Sequence, residues 1–491
     1  MLRSFLLAAA LAPLASADAG GGRPNLVLFL VDDLGWQDVS VPHHAERTAA
    51  NDRFRTPHLE RLAAEGVTLT QAYASSPVCT PTRTSILTGK SPARTGITYW
   101  ILHEGRDTSA RHERVRPPAW RLNGLDERDD TLPRRLREAG YRTIHVGKAH
   151  FGARGTPGAD PTRLGFDVNV AGHAAGAPGS YLGTDRFSGA TRGRGDVWDV
   201  PGLEEAHGED VYLTEVLAAR AVAAVEEAAA EGRPFYLSFA PYAVHTPIMA
   251  NGRYLERYEG LDPREAAYAT MVESVDAALG ALLDALERLE LLDETAIVFT
   301  SDNGGLAAHG RAGAAHTQNA PLRSGKGSAY EGGTRVPFVA RVPGVTRPGT
   351  RSDVPVVAHD LFPTFLALAG LDPDGLEIDG RDLAGVLAGG AFDDEREILW
   401  HMPHFWGVEG PGIQPYSALR KGDWKIVHFH GGRLELYDLG RDLGERNDLA
   451  AAEPERTREM AEALSAALER AGAAMSIDRE TGVPVPLPRF D

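Results

Sequence analysis

Side chains able to bind a metal or to move a proton follow four apolar runs of the sequence, at the point where each run ends. They are Asp32 and Asp33, Lys148 and His150, His245, and Asp302 and Asn303. Any one of these residues alone is better explained as a helix cap or a solvent contact, but four sets at four strand-like ends predict a metal-assisted active site. Carboxylate and amide oxygens suit Ca²⁺ or Mg²⁺ better than zinc, which prefers histidine and cysteine.

The apolar runs that precede these side chains alternate with helix-like segments along the chain. The predicted strands are 25–31, 141–146, 234–239, 295–300 and 337–342, and the predicted helices are 131–139, 210–231, 266–289 and 356–369. Such alternation is typical of a mostly parallel sheet flanked by helices. In a sheet of this kind the carboxyl ends of the strands lie along one edge, where ligands bind. The sequence therefore predicts an α/β fold in which the four polar sets meet.

Cys79 is the only cysteine among the 491 residues, and its surroundings are small and polar. Pro81 suits the first turn of a helix, so the Cys79 side chain is predicted at a helix N-terminus, which favours negative charge. Arg83, about one turn further on, points toward the same space. The Thr-Gly-Lys-Ser segment at 88–91 is similar to the end of a phosphate-binding loop. Thr84, however, stands where that loop needs a glycine, so nucleotide binding is not expected.

Composition restricts the partners and the location of the protein. The chain has 51 Lys plus Arg against 68 Asp plus Glu, a formal net charge of −17, which argues against non-specific binding of nucleic acid. An anionic substrate would need a locally positive site. Residues 1–17 have the pattern of a signal peptide, with Arg3 before an apolar run and small residues at Ala15 and Ala17, which predicts a periplasmic or extracellular protein. No later segment is expected to span a membrane.

The segment that begins at Cys79 is similar to a motif of a known family. Cys79-Thr-Pro-Thr-Arg83, followed by Thr-Ser-Ile-Leu-Thr-Gly-Lys, resembles the C-x-P-x-R signature of type I, formylglycine-dependent sulfatases of the alkaline phosphatase-like superfamily. Further segments that resemble this family, in its order, are 30–36, 147–152, 245–247, 300–305 and 325–337. The resemblance covers most of the chain from residue 25 to about residue 383 and is closest in character to exported bacterial carbohydrate sulfatases and arylsulfatases.

That resemblance implies a domain organisation and a cofactor. It implies an alkaline phosphatase-like catalytic α/β domain at 24–391 and a smaller C-terminal antiparallel sheet with a packed helix at 392–491. It also implies that a formylglycine-generating enzyme oxidises Cys79 to an aldehyde, formylglycine, which hydrates to a geminal diol. The implied ligands of one Ca²⁺, with Mg²⁺ less favoured, are Asp32, Asp33, Asp302, Asn303 and the modified Cys79.

The resemblance further implies a catalytic role for each residue around the metal. A hydroxyl of the diol would attack the sulfur of a sulfate ester, and His150 would deprotonate the remaining hydroxyl, which expels sulfate and regenerates the aldehyde. Arg83, Lys148 and Lys326 would balance the charge of the sulfate oxygens. His245, sharing the role with Lys326, would protonate the departing oxygen.

The substrate is expected to be a sulfated sugar of the galactose or N-acetylgalactosamine type. The long connections 99–124 and 172–200 are predicted to be binding loops. Residues that could contact substrate, each with a surface or structural role as the alternative, are His316, Arg323, His401, His404 and Trp406. Two other functions remain open, namely hydrolysis of phosphodiesters or phosphonate monoesters, as related folds perform, and carbohydrate binding without catalysis.

Overall fold

Long runs of apolar residues form the strands of this protein, as seen in a computed structural model that describes residues 22–308, 310–392 and 396–490. The signal peptide predicted at 1–17 lies outside the described residues. The strands are β1 (Asn25–Val31), β2 (Val67–Leu69), β3 (Ala72–Tyr73), β4 (Val115–Arg116), β5 (Arg142–Gly147), β6 (Val168–Val170), β7 (Phe235–Ala240), β8 (Thr295–Ser301), β9 (Arg335–Val336), β10 (Phe338–Arg341), β11 (Thr350–Ser352), β12 (Val356–Val357), β13 (Glu397–Met402), β14 (Tyr416–Lys421), β15 (Trp424–Phe429), β16 (Arg433–Asp438) and β17 (Ile477–Asp478).

The α-helices of the same residues cover the sheets and connect their strands. They are α1 (Ala49–Arg53), α2 (Pro57–Glu65), α3 (Cys79–Thr88), α4 (Pro92–Thr95), α5 (Leu132–Glu138), α6 (Leu213–Ala230), α7 (Pro263–Arg288), α8 (Glu331–Thr334), α9 (Leu361–Leu368), α10 (Ala384–Leu387) and α11 (Pro454–Ala471).

The largest sheet has eight strands in the order β11-β2-β10-β8-β1-β7-β5-β6. The strands β6, β5, β7, β1 and β8 are parallel neighbours, and every residue of β1 and β8 is buried. The strand predicted at 337–342 is β10, which runs antiparallel to β8. The prediction of a mostly parallel sheet is confirmed, and the carboxyl ends of β1, β5, β7 and β8 lie at one edge.

Helices pack on both faces of this sheet, because successive side chains of a strand point to opposite faces. Val27, Phe29 and Val31 of β1 lie in one core with α2, α6 and α7, and the intervening leucines lie in a second core with α3, α5, α9 and α10. By length and composition α7 could span a membrane, which the sequence prediction overlooked, but 83% of its most apolar window is buried within the protein.

The helix predicted at 356–369 begins later than expected. Val356 and Val357 form β12, which pairs with β3, and a 3₁₀ turn at Ala358–Asp360 leads into α9. Valine is branched at Cβ and favours extended backbone, and the Asp360 carboxylate accepts a hydrogen bond from the Val357 amide at 2.8 Å. The helix prediction is therefore wrong for its first five residues, 356–360.

The C-terminal part contains a smaller antiparallel sheet in the order β13-β14-β15-β16, with α11 packed against it. Lys425 of β15 connects this sheet to the rest of the protein, because its ammonium group lies 2.9 Å from the carboxylates of both Glu331 and Glu445. This sheet and helix confirm the predicted architecture, whereas the domain boundary at 391/392 stays a prediction.

Candidate active site

The ends of β1 and β8 bring four buried oxygen-bearing side chains together. Because Val31 is in register with Ser301, the residues that follow each strand are neighbours; they are Asp32, Asp33, Asp302 and Asn303, all fully buried. The Asp33 amide donates to Asp302 Oδ1 at 3.2 Å, and Asn303 Nδ2 donates to Asp33 Oδ1 at 2.8 Å. The sequence prediction that these residues meet at one sheet edge is consistent with this placement.

Cys79 is the first residue of α3, and its side chain faces the same carboxylates. Its Sγ atom lies 3.8 Å from Asp32 Oδ1 and 3.4 Å from Lys326 Nζ. Burial raises the pKa of the thiol to about 11, although the lysines Lys148 and Lys326 act in the opposite direction. The unmodified side chain is therefore a neutral thiol at pH 7, despite its position at a helix N-terminus.

Three buried cations neutralise the carboxylates. The Arg83 Nε atom lies 2.7 Å from Asp302 Oδ2, Lys148 Nζ lies 2.7 Å from Asp32 Oδ2, and Lys326 Nζ lies 2.6 Å from Asp33 Oδ1. Lys148 follows Gly147, whose φ of +99° is a backbone conformation that favours glycine. A Cβ atom at residue 147 would lie 2.0 Å from the Ala240 carbonyl oxygen of β7, so only glycine fits there. Buried charges of this kind require such partners.

Some oxygens of the cluster are left without partners, which fits a bound cation. Asp33 Oδ2 and Asn303 Oδ1 are buried and accept no hydrogen bond. Ligand atoms of Asp32, Asp33, Cys79 and His245 lie within 4.8 Å of one another. Burial also raises the pKa of Asp32 well above its ordinary value, although Lys148 acts in the opposite direction. The carboxylate and amide oxygens of Asp32, Asp33, Asp302 and Asn303 are ligands of the kind that Ca²⁺ and Mg²⁺ prefer.

Two histidines complete the polar side of the site. His150 Nε2 donates to the Ile101 carbonyl at 2.7 Å, and its Nδ1 is buried without a partner. His245 Nδ1 donates to the Thr246 carbonyl at 2.8 Å, and its Nε2 lies 3.6 Å from Asp33 Oδ2. Burial lowers the pKa of His150 well below its ordinary value and that of His245 to about 3, so both rings are neutral at pH 7.

A cavity of about 170 Å³ opens onto these groups. Three indole side chains from three separate segments form part of its wall: Trp100, Trp198 and Trp406. The other described residues that line it are Val78, Cys79, His150, Gly176, Ala177, Arg194, His245, Thr246, Leu306 and Lys326. The two connections predicted to be binding loops therefore both reach the cavity, but the sequence patterns did not single out Trp198, Arg194 or Gly176.

Of the five residues predicted as candidate substrate contacts, Trp406 lines the cavity and the other four do not. The ring of His316 and the guanidinium of Arg323 each donate to a backbone carbonyl. His401 is buried between a serine hydroxyl and a carbonyl, and the ring of His404 stacks on Tyr99 with centroids 4.7 Å apart. Substrate contact by these four residues stays a prediction, since each already has a structural partner.

Comparison with known proteins agrees with this arrangement. Residues 24–371 match the family Sulfatase, and residues 325–473 match the family N-sulphoglucosamine sulphohydrolase, C-terminal. The chain is 31% identical over 467 residues to N-acetylgalactosamine-6-sulfatase of Canis lupus familiaris, covering 88% of this chain and 83% of that protein. It is 29% identical over 484 residues to a sulfatase of Formosa agariphila, covering 88% and 85% respectively.

Among solved structures, the fold is similar to that of Ps i-CgsB. The TM-score is 0.75 at 27% sequence identity, and the match covers 91% of this chain and 93% of the other. That protein has also been crystallised in complex with k-i-k-neocarrahexaose. The matches extend over the parallel sheet, the polar cluster at its edge and the C-terminal sheet, so the chain belongs to the sulfatase family and is a sulfate ester hydrolase.

Proposed function

We propose that the protein is an exported hydrolase of carbohydrate sulfate esters, with an aldehyde derived from Cys79 as the nucleophile and one bound Ca²⁺. The position of Cys79 carries this proposal. Cys79 is the first residue of α3 and lines the cavity. Its Sγ atom lies within 4 Å of both Asp32 Oδ1 and Lys326 Nζ. The predicted signal peptide at 1–17 supports export, because the modifying enzyme would act on the chain as it leaves the cell interior.

The oxygens at the sheet edge are the proposed metal ligands. Asp32, Asp33, Asp302 and Asn303, together with the modified residue 79, would hold the ion, and the unpaired oxygens of Asp33 and Asn303 support this assignment. Ca²⁺ is favoured over Mg²⁺ because it accepts more oxygen ligands in a less regular geometry. When bound, the ion supplies a Lewis acid that polarises an oxygen of the sulfate group.

The side chains around residue 79 have distinct proposed roles. The diol form of formylglycine offers one hydroxyl for attack on sulfur and a second whose deprotonation releases sulfate. His150 accepts that proton at Nδ1, since its Nε2 proton is held by the Ile101 carbonyl. The departing sugar oxygen takes its proton from Lys326 or His245, and Lys326 is favoured because the neutral His245 ring carries its proton on Nδ1.

The cavity wall supports a sugar as the rest of the substrate. The indoles of Trp100, Trp198 and Trp406 offer flat apolar faces on which the C–H face of a sugar ring can pack. At about 170 Å³ the cavity is smaller than the ~300–1,000 Å³ of pockets for drug-sized ligands, which favours a single ring. The similarity to an N-acetylgalactosamine-6-sulfatase supports a galactose or N-acetylgalactosamine sulfate.

Two measurements test this function. The first is the intact mass of the Cys79 peptide from protein exported by its native host, where an unmodified thiol would contradict the mechanism. The second compares turnover of 4-nitrophenyl sulfate and of sulfated galactosides with that of an aryl phosphodiester and an aryl phosphonate. We expect sulfate esters to be the better substrates, and a preference for the phosphorus esters would refute the proposal. A Cys79→Ala variant serves as the control for contaminating activity.

A further inference from the structure

The wall of the cavity carries a positive charge that the mechanism does not use. Arg194 lines the same cavity as Cys79 and Lys326, and no Asp or Glu lies among the described residues of that lining. Lys326 is paired with Asp33, whereas within the described part of the chain no carboxylate forms a salt bridge with Arg194. A cation without an acidic partner at this place is notable in a chain with a net charge of −17.

The surrounding loop holds Arg194 in place. Two 3₁₀ turns, Ala190–Arg192 and Asp196–Trp198, flank the residue, and its amide donates to the Gly189 carbonyl at 2.9 Å. The guanidinium carbon lies 4.8 Å from the centre of the Trp198 ring, a cation–π contact that orients the planar group. The arginine and one of the indoles of the cavity wall are therefore positioned as a unit.

We propose that Arg194 determines specificity by binding a second anionic group of the substrate, a carboxylate or a second sulfate on the saccharide that carries the cleaved ester. This inference rests on the proposed function of the same cavity. A guanidinium offers two parallel N–H donors, which match the two oxygens of a carboxylate or sulfate. Arg194 lines the same cavity as Cys79, so a saccharide whose sulfate ester lies at residue 79 would place its other substituents within reach of Arg194. A doubly charged saccharide is then preferred over a singly charged one.

The test compares charge preference between variants. Arg194→Gln removes the charge and Arg194→Lys keeps it. Arg192→Gln is the matched control, because both arginines are exposed residues of the same loop but only Arg194 lines the cavity. The substrates are 4-nitrophenyl sulfate, a monosulfated galactoside, a disulfated galactoside and a monosulfated galacturonide, which carries a carboxylate on the same ring. The last two distinguish a second sulfate from a carboxylate as the bound group.

We expect the wild type to prefer at least one doubly charged saccharide. Arg194→Gln should lower kcat/KM for that substrate by about tenfold or more, mainly through KM, because a charge-assisted hydrogen bond is lost. Turnover of 4-nitrophenyl sulfate, which has no second anionic group, should change by less than about threefold. A change of that size is smaller than the effect of losing one charge-assisted hydrogen bond. Arg194→Lys should recover part of the preference, and Arg192→Gln should behave as the wild type.

Two results would overturn this inference in different ways. An active wild type without charge preference, or an equal loss by Arg194→Gln on all substrates, would refute the role of Arg194 and leave the proposed function intact. A wild type, shown to carry the aldehyde, that cleaves none of the sulfate esters would refute both.

Discussion

The position of His150 depends on the absence of a side chain at residue 176. A Cβ atom on Gly176 would lie 2.4 Å from His150 Cε1 and 2.6 Å from its Nδ1. The backbone of Gly176 is outside the left-handed region, so alanine can adopt its conformation and any strain arises at the histidine. Gly176→Ala therefore tests whether the location of the His150 ring matters for catalysis.

The size of the expected effect follows from this contact. Carbon atoms in ordinary contact are about 3.5–4.0 Å apart, so the ring or the loop has to move by about 1 Å or more. Overpacking of this kind destabilises a protein by about 1–3 kcal/mol. A shift of about 1 Å in a catalytic group lowers the rate by about 10². We expect Gly176→Ala to lower kcat by about 10² while the protein remains folded.

Gly172→Ala is the matched control, because it creates the same kind of clash in the same loop. Its Cβ atom would lie 2.4 Å from Asn169 Oδ1 and 2.7 Å from Cδ2 of His145, two residues that do not line the cavity. Urea denaturation should show a similar loss of stability for both variants, and steady-state turnover of a sulfate ester should fall only for Gly176→Ala. Wild-type kcat in Gly176→Ala, or an equal loss in Gly172→Ala, would refute the proposed role of His150.

Three further predictions test other parts of the structure. Cys79→Ser should change the free energy of unfolding by less than about 1 kcal/mol, because one small polar group replaces another. The same variant should lower steady-state sulfate release by a factor of about 10³ or more. Substantial turnover would exclude the aldehyde as the required nucleophile. Chelation should lower the melting temperature and Ca²⁺ should restore it, since an ion present at 100 times its Kd stabilises the folded state by about 2.7 kcal/mol; a melting curve insensitive to both would contradict the metal assignment. Lys425→Met should lower the free energy of unfolding by about 3–5 kcal/mol in urea denaturation, because Glu331 and Glu445 would lose a buried cation. The control, Arg441→Ala, removes an exposed ion pair and should change the free energy of unfolding by less than about 1 kcal/mol. Equal effects of the two variants would contradict the importance of the buried ion pair.

The part of the site that lies at the sheet edge could be predicted from the sequence. Apolar runs such as Asn25–Val31 are too long and too uniform for exposed strands, and parallel strands necessarily end at one edge. The residues that follow such runs are therefore brought together by the topology alone. Strand direction could not be predicted in the same way, since the direction of β10 depends on its connection rather than on its composition.

The cavity wall could not be predicted, because it depends on the path of long connections. Trp198 and Arg194 lie in a loop with no apolar periodicity, and only the unusual length of that loop indicated a binding role. Residue type alone does not show which polar side chains line the cavity. His401 and His404 have the chemistry expected of a binding site, yet both are buried and hydrogen-bonded within the protein.

The charges of the cluster explain how a protein with a net charge of −17 can bind an anion. When all groups are ionised, the three carboxylates of Asp32, Asp33 and Asp302 offset the three cations paired with them, so the cluster itself has little net charge. A divalent ion held by the unpaired oxygens would make the site positive. Removal of the metal should therefore weaken the binding of the cleaved sulfate group, whereas the charge of Arg194 at the cavity wall would remain. The two proposed anion contacts are thus separable by experiment.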